Sequence, residues 1–274
     1  MRIDAHQHFW KYSPEKYGWI SDMMPELKHD FLPGHLQPLL TDQSFDRSIA
    51  VQARQDLDET HWLLELAAEN EFIAGVVGWV DLCSPDLPAQ LESFAAIPKF
   101  LGVRHLLQDE PDNEFMLRPE FRRGIARLAE YGLTYDLLLH PRHLSIAVKL
   151  VHEFPHQRFV LDHIAKPAIA DGLIEPWARD IRELAKCDVY CKLSGMVTEA
   201  NWKQWKTEDF RPYLDVVFNS FEPGRLMIGS DWPVCTLSAS YVETLGIVME
   251  YVTQLRPDEA DDIFGISCMR FYGV

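Results

Sequence analysis

Two histidines one residue apart offer the first chemistry in this chain. In MRIDAHQHFW, His6 and His8 flank Gln7, and in an extended strand residues two apart project from the same face. A pair of imidazoles side by side makes half of a metal site, or a pair that polarises a carbonyl. Farther along, FVLDHIAKP carries His163 and MIGSDWPV carries Asp231. A carboxylate at the end of an apolar run is partly desolvated, which raises its pKa toward the working range of a general base. Asp231 has a second use, capping the turn marked by Pro233, and His163 could equally be a core histidine bonded to Asp162. Arg104 in GVRHL and Lys192 in CKLSG are cations within apolar runs. Burying such a charge unpaired is costly. Each therefore needs an acidic partner, with Asp81, Asp162 and Asp231 as the candidates, or the oxygen atoms of a substrate. Gln52, His140 and Trp19 complete the groups set to contact a ligand.

These residues lie at or near the ends of short apolar runs. The runs are Arg2–Phe9, Ser48–Gln52, Ile73–Leu82, Phe100–Leu107, Leu133–Leu139, Phe159–Ile164, Val189–Ser194 and Leu226–Ser230. Most are apolar almost throughout, as strands covered on both faces are. Between them, Asp58–Glu69, Pro119–Glu130, Leu144–Glu153, Trp177–Ala185 and Tyr241–Leu255 show helical spacing of apolar residues. Strand and helix in alternation imply a parallel sheet with helical crossovers. Eight such units point to an α/β fold, a (β/α)8 TIM barrel running over residues 1–274 as a single domain. An open doubly wound sheet is the second choice, weakened because no GxGxxG follows a strand. Barrel active sites assemble at the C-terminal ends of the strands, which is where His6, His8, Gln52, Arg104, His140, His163, Lys192 and Asp231 fall. The long irregular stretch from Lys11 to Gly34 would then lie over the barrel mouth, with Trp19 in it.

Charge narrows the partners. Asp plus Glu number 42 against 26 Lys plus Arg, a net charge of −16. Such a surface repels nucleic acid and anionic lipid, and no Lys/Arg cluster offsets it. The five cysteines are odd in number and match no zinc-finger spacing, so they read as reduced thiols. The N-terminus has no signal-peptide pattern, and no apolar run reaches the ~18 residues of a membrane span. The expectation is a cytoplasmic protein, a monomer or small homo-oligomer, acting on a small molecule.

DAHQHF, GVRH, LDHIAKP, KLSG and GSDWP, in this order and each at a strand end, resemble the amidohydrolase superfamily in its branch of lactone hydrolases. The pattern is most similar to sugar-acid lactonases acting on L-fuconolactone or L-rhamnonolactone, and more distantly to 2-pyrone-4,6-dicarboxylate lactonase. The resemblance implies the (β/α)8 fold and a central constellation of His6, His8, His163 and Asp231. It implies opening of a sugar lactone to its aldonate, with Asp231 as general base and the three imidazoles holding water or the developing oxyanion. Arg104, Lys192, Gln52, Trp19 and His140 would contact the substrate. Three imidazoles and a carboxylate suit one divalent ion such as zinc, although the lactonase branch includes members that work without metal. A bridging residue for a second ion is not evident. Two other readings share these residues: a metal-dependent, non-oxidative decarboxylase of an aromatic or muconate-type acid, and a non-catalytic barrel that binds a sugar acid.

Overall fold

The structure, a computed structural model, describes residues 1–274. Eight parallel strands follow one another around a sheet in chain order: β1 (Ile3–Gln7), β2 (Arg47–Val51), β3 (Ile73–Gly78), β4 (Phe100–His105), β5 (Thr134–Leu137), β6 (Phe159–Leu161), β7 (Val189–Leu193) and β8 (Leu226–Ile228). The last strand returns to the first. There the His8 amide donates to the Trp232 carbonyl at 2.7 Å, and the Asp231 amide to the His6 carbonyl at 2.8 Å. Outside lie α1 (Pro33–Asp42), α2 (Leu57–Glu69), α3 (Leu87–Ala95), α4 (Pro119–Glu130), α5 (Leu144–Glu153), α6 (Trp177–Leu184), α7 (Thr207–Ser220) and α8 (Tyr241–Leu255). This is the (β/α)8 barrel that the alternation of runs implies.

Local signals account for the helix ends. Asp56 accepts the Asp58 amide to start α2, Pro119 occupies the first turn of α4, and Ser240 with Glu243 forms a capping box for α8. The strands are shorter than the apolar runs. β3 stops at Gly78 because the Thr60 hydroxyl accepts the Trp79 amide and donates to its carbonyl, both at 2.9 Å. Asp81 is therefore in the loop beyond, where it accepts the Cys83 amide.

The main apolar core fills the space between strands and helices. A smaller cluster around Ile3, Val51, Val77, Val160 and Met227 meets Phe271 and Tyr272 of a last helix, α9 (Ser267–Tyr272). All five cysteines are free. No helix is long and apolar enough to cross a membrane.

Candidate active site

The β8–β1 seam carries the first part of the site. Asp231 follows β8 with φ 57°, and its amide is tied to the His6 carbonyl. Beneath it, fully buried Asp4 accepts the amide and hydroxyl of Ser230 at 2.9 and 2.6 Å, the Tyr241 hydroxyl at 3.1 Å and the His6 amide at 3.2 Å. One carboxylate thus joins β1, the end of β8 and α8, supplying bonds that the sheet itself lacks at this seam.

Side chains then converge. His6 Nε2 and His8 Nε2 are 3.2 Å apart, and His8 Nε2 is 3.2 Å from Asp231 Oδ1. His6 Nε2 and His163 Nε2 each lie 3.8 Å from that same oxygen. The Val51 carbonyl is 2.8 Å from His8 Nδ1. A carbonyl only accepts, so His8 Nδ1 carries a proton. His163 Nδ1 meets the Ser194 hydroxyl at 2.8 Å. Burial pushes His163 down to about 4 against the pull of Asp231 and Asp162, and it holds His6 well below the usual histidine range. Both imidazoles are neutral at pH 7.

Asp231 itself runs opposite to the expectation of a raised carboxylate. Burial pushes it up, but the imidazole of His163, the hydrogen bond with His8 and the nearby His6 outweigh burial and hold it below the ordinary range. Nor does its side chain cap a turn, since its Oδ1 faces the imidazoles.

His163 begins an unusual backbone segment. His163, Ile164, Ala165 and Lys166 all have φ between 46° and 60°, and the Lys166 amide closes the turn on the His163 carbonyl at 2.8 Å. Left-handed geometry costs each residue with a side chain roughly 1–2 kcal/mol. The surrounding packing must hold this turn, and such strain gathers at functional sites.

Under His6 sits a closed set of charges. Asp162 Oδ1 is 3.3 Å from His6 Nδ1 and 3.0 Å from Lys192 Nζ. Arg104 Nη1 reaches Asp162 Oδ2 at 3.1 Å and His6 Nε2 at 3.3 Å. Lys192 Nζ also bonds Asp136 Oδ2 at 2.5 Å, which the Tyr272 hydroxyl approaches to 2.8 Å. Two cations balance two carboxylates. Burial would raise Asp162, but Lys192, His6 and Arg104 keep it well below the usual carboxylate range. Burial likewise works against the charge of Lys192, and Asp136 and Asp162 together hold it above the ordinary lysine value.

A cavity of about 280 Å³ opens above the imidazoles, with His8, His163, Asp231, Arg104, Trp19 and Lys166 in its wall. Three residues expected to contact substrate are elsewhere. Lys192 is 0% exposed and held by Asp136 and Asp162, which is the internal ion pair that its apolar run left open. Gln52 is 0% exposed as well. Its Oε1 accepts from Arg104 Nη2 at 3.1 Å, and its carbonyl accepts from the same nitrogen. His140 is half-buried outside the cavity wall, its amide donating to His143 Nδ1 at 3.2 Å. β5 ends three residues earlier, at Leu137, and of the residues that follow it is Leu138 that enters the cavity wall.

A sequence profile of the amidohydrolase family matches residues 3–274. The chain belongs to the amidohydrolase family. An L-fucono-1,5-lactonase from Burkholderia multivorans is 41% identical over 286 residues, covering 100% of this chain and 96% of that protein. Another from Burkholderia ambifaria is 37% identical over 279 residues, with 100% and 96% covered. A crystal structure of an amidohydrolase from Burkholderia multivorans with bound zinc superposes with a TM-score of 0.95 at 42% identity, covering 100% of this chain and 99% of that one. A probable 2-pyrone-4,6-dicarboxylic acid hydrolase from Acinetobacter baumannii shares the fold, with a TM-score of 0.81 at 16% identity over 100% of this chain and 99% of that one.

In this amidohydrolase, three residues of the site escaped the sequence reading. Asp136 stands inside the run LTYDLLL and Asp4 inside RIDAH; a charge within an apolar run was the available signal for both. Lys166 follows His163 in HIAKP, and nothing in its spacing marks it as facing a cavity.

Proposed function

We propose that this amidohydrolase is a lactonase, a carboxylic-ester hydrolase that opens a sugar-acid lactone to the aldonate, with L-fucono-1,5-lactone as the first substrate to test. The observation that carries the reading is the Asp231 carboxylate in the cavity wall, with three imidazole nitrogens within 3.8 Å of Oδ1. The two lactonases 37–41% identical over the whole chain support the substrate class.

The residues fit a divalent ion. His8 Nδ1 is engaged by the Val51 carbonyl, so Nε2 is the ring nitrogen that faces Asp231 Oδ1 and His6 Nε2. Such groups do not face one another at 3.2 Å without a proton or cation between them. With zinc–ligand bonds of about 2 Å, neighbouring ligands of a tetrahedral site stand roughly 3.3 Å apart. His6, His163 and Asp231 offer ligand atoms within 4.8 Å of one another, and His8 Nε2 adds a fourth. When bound, zinc would polarise the lactone carbonyl or acidify water.

The chain's own groups supply the remaining chemistry. Asp231 Oδ1 faces the imidazoles, which leaves Oδ2 to take a proton from water. The water oxygen adds to the lactone carbonyl, the C–O bond to the ring oxygen breaks, and that oxygen receives the proton from Asp231. Asp162 and Arg104 hold His6 in orientation, and Trp19 offers an apolar face to the sugar ring.

The test is a pH-indicator assay of aldonolactones, L-fucono-1,5-lactone included, with and without chelator. Asp231→Asn should lower kcat by ~10²–10⁴, the usual share of a general base, with the fold intact by circular dichroism. An unchanged kcat refutes Asp231 as the base, and a wild-type protein inert toward every aldonolactone refutes the lactonase.

A further inference from the structure

The cavity wall contains two cations, and they differ in what they have left to give. Arg104 is buried, with Nη1 and Nη2 bonded to Asp162 and Gln52. Lys166 is half-buried in the same wall and takes no part in the ion pairs that hold Arg104 and Lys192. No carboxylate lies within ion-pair distance of its ammonium, and it donates to no protein acceptor. Three N–H donors on one charge thus remain for whatever enters the cavity. The backbone reinforces this. The left-handed turn that aims His163 at Asp231 also delivers Lys166 to the wall, so one strained segment positions both side chains.

Resting on the lactonase reading, we infer that Lys166 is a catalytic residue which receives the negative charge appearing on the substrate and holds the carboxylate of the product. A lactone enters neutral and an aldonate leaves anionic. As Asp231 takes the proton of water and the oxygen adds, charge gathers on the carbonyl oxygen. When the ring C–O bond breaks, that charge leaves with the ring oxygen, which Asp231 reprotonates, and the new carboxylic acid then loses its own proton to solvent and becomes a carboxylate. Asp231, a carboxylate again once the ring has opened, makes the cavity hostile to the product anion unless a cation offsets it. An ammonium with unused donors interacts weakly with the neutral ground state and strongly with the oxyanion, the difference that accelerates a reaction. The same contact gives the site affinity for the aldonate.

The assignment is tested with Lys166→Met and Lys166→Gln, folded by circular dichroism, in two measurements. Hydrolysis of L-fucono-1,5-lactone should lose ~10²-fold in kcat, the usual effect of removing one oxyanion donor, while KM moves less than about threefold. Calorimetric titration with L-fuconate, which needs no turnover, should show binding at least about tenfold weaker than to wild type, and Lys166→Arg should restore part of it. L-Fuconate affinity within that tenfold margin in the folded variants, or wild-type kcat in them, overturns the assignment while wild-type lactone hydrolysis keeps the lactonase reading intact. A wild-type protein that opens no aldonolactone overturns the lactonase reading and the Lys166 assignment with it.

Discussion

Replacing Gly195 with alanine probes how tightly the β7 loop controls the site. Gly195 has φ 61°, and a Cβ placed on it would lie 2.5 Å from His163 Nδ1, 2.6 Å from Cγ and 2.9 Å from Cβ. Ordinary carbon contacts are about 3.5–4 Å, so the His163 ring would have to retreat by roughly 1 Å. It cannot simply rotate away, because its own Cβ is among the atoms struck and its backbone is fixed in the left-handed turn. Retreat also breaks the 2.8 Å contact with Ser194. Left-handed backbone costs an alanine about 1 kcal/mol and overpacking a further ~1–3 kcal/mol. Together that is ~2–4 kcal/mol, a fall in Tm of roughly 3–8 °C for a barrel of this size. A 1 Å displacement of a reacting group costs ~10²-fold in rate. Thermal unfolding by circular dichroism and kcat/KM on L-fucono-1,5-lactone read the two effects separately. A Gly195→Ala protein with kcat/KM within about threefold of wild type would refute the claim that turnover depends on the placement of His163.

Two further outcomes concern the charges buried around the site. Glu59 accepts the Ala53 and Arg54 amides, both at 2.9 Å, and the Tyr17 hydroxyl at 3.0 Å. Burial pushes it up to about 7 from 4.5 in spite of these donors. A raised carboxyl keeps its proton in the folded state where the unfolded chain has lost it. Its contribution is complete below pH 4.5 and is lost as pH rises through about 7, a change of ~3 kcal/mol at 1.36 kcal/mol per pKa unit. Glu59→Gln should therefore flatten the decline in urea stability between pH 5 and 8, and an identical pH slope in both proteins contradicts this. Lys192→Met leaves Asp136 and Asp162 facing each other in the core without their shared cation, and should cost ~3–5 kcal/mol in urea denaturation. Adding Asp136→Asn should recover part of that loss, and no recovery would mean that the two charges are not coupled.

Periodicity made the architecture legible. Helices at Pro119–Glu130, Leu144–Glu153 and Tyr241–Leu255 lie where their apolar spacing puts them, because a helix buries one stripe and the sequence must record that stripe. Strand positions were legible too, but their ends were not. The stop of β3 at Gly78 depends on the hydroxyl of Thr60, eighteen residues earlier. In the site, polar residues at strand ends were readable as a group, since eight parallel strands leave one face on which such groups can meet.

What composition and spacing cannot encode is distance between elements far apart in the chain. Lys192 in its apolar run demands an acidic partner, but only the packing of β5, β6 and β7 brings Asp136 and Asp162 to it, while Asp81 and Asp231 stay away. The same holds for Gln52, turned to Arg104 instead of the cavity, and for Lys166, carried into the cavity wall by a left-handed turn that no residue preference announces. Residue type sets what each side chain needs, a partner charge or a bond donor. The fold determines which group meets that need, because a hydrogen bond is made only at close contact and an ion pair strengthens as its charges approach.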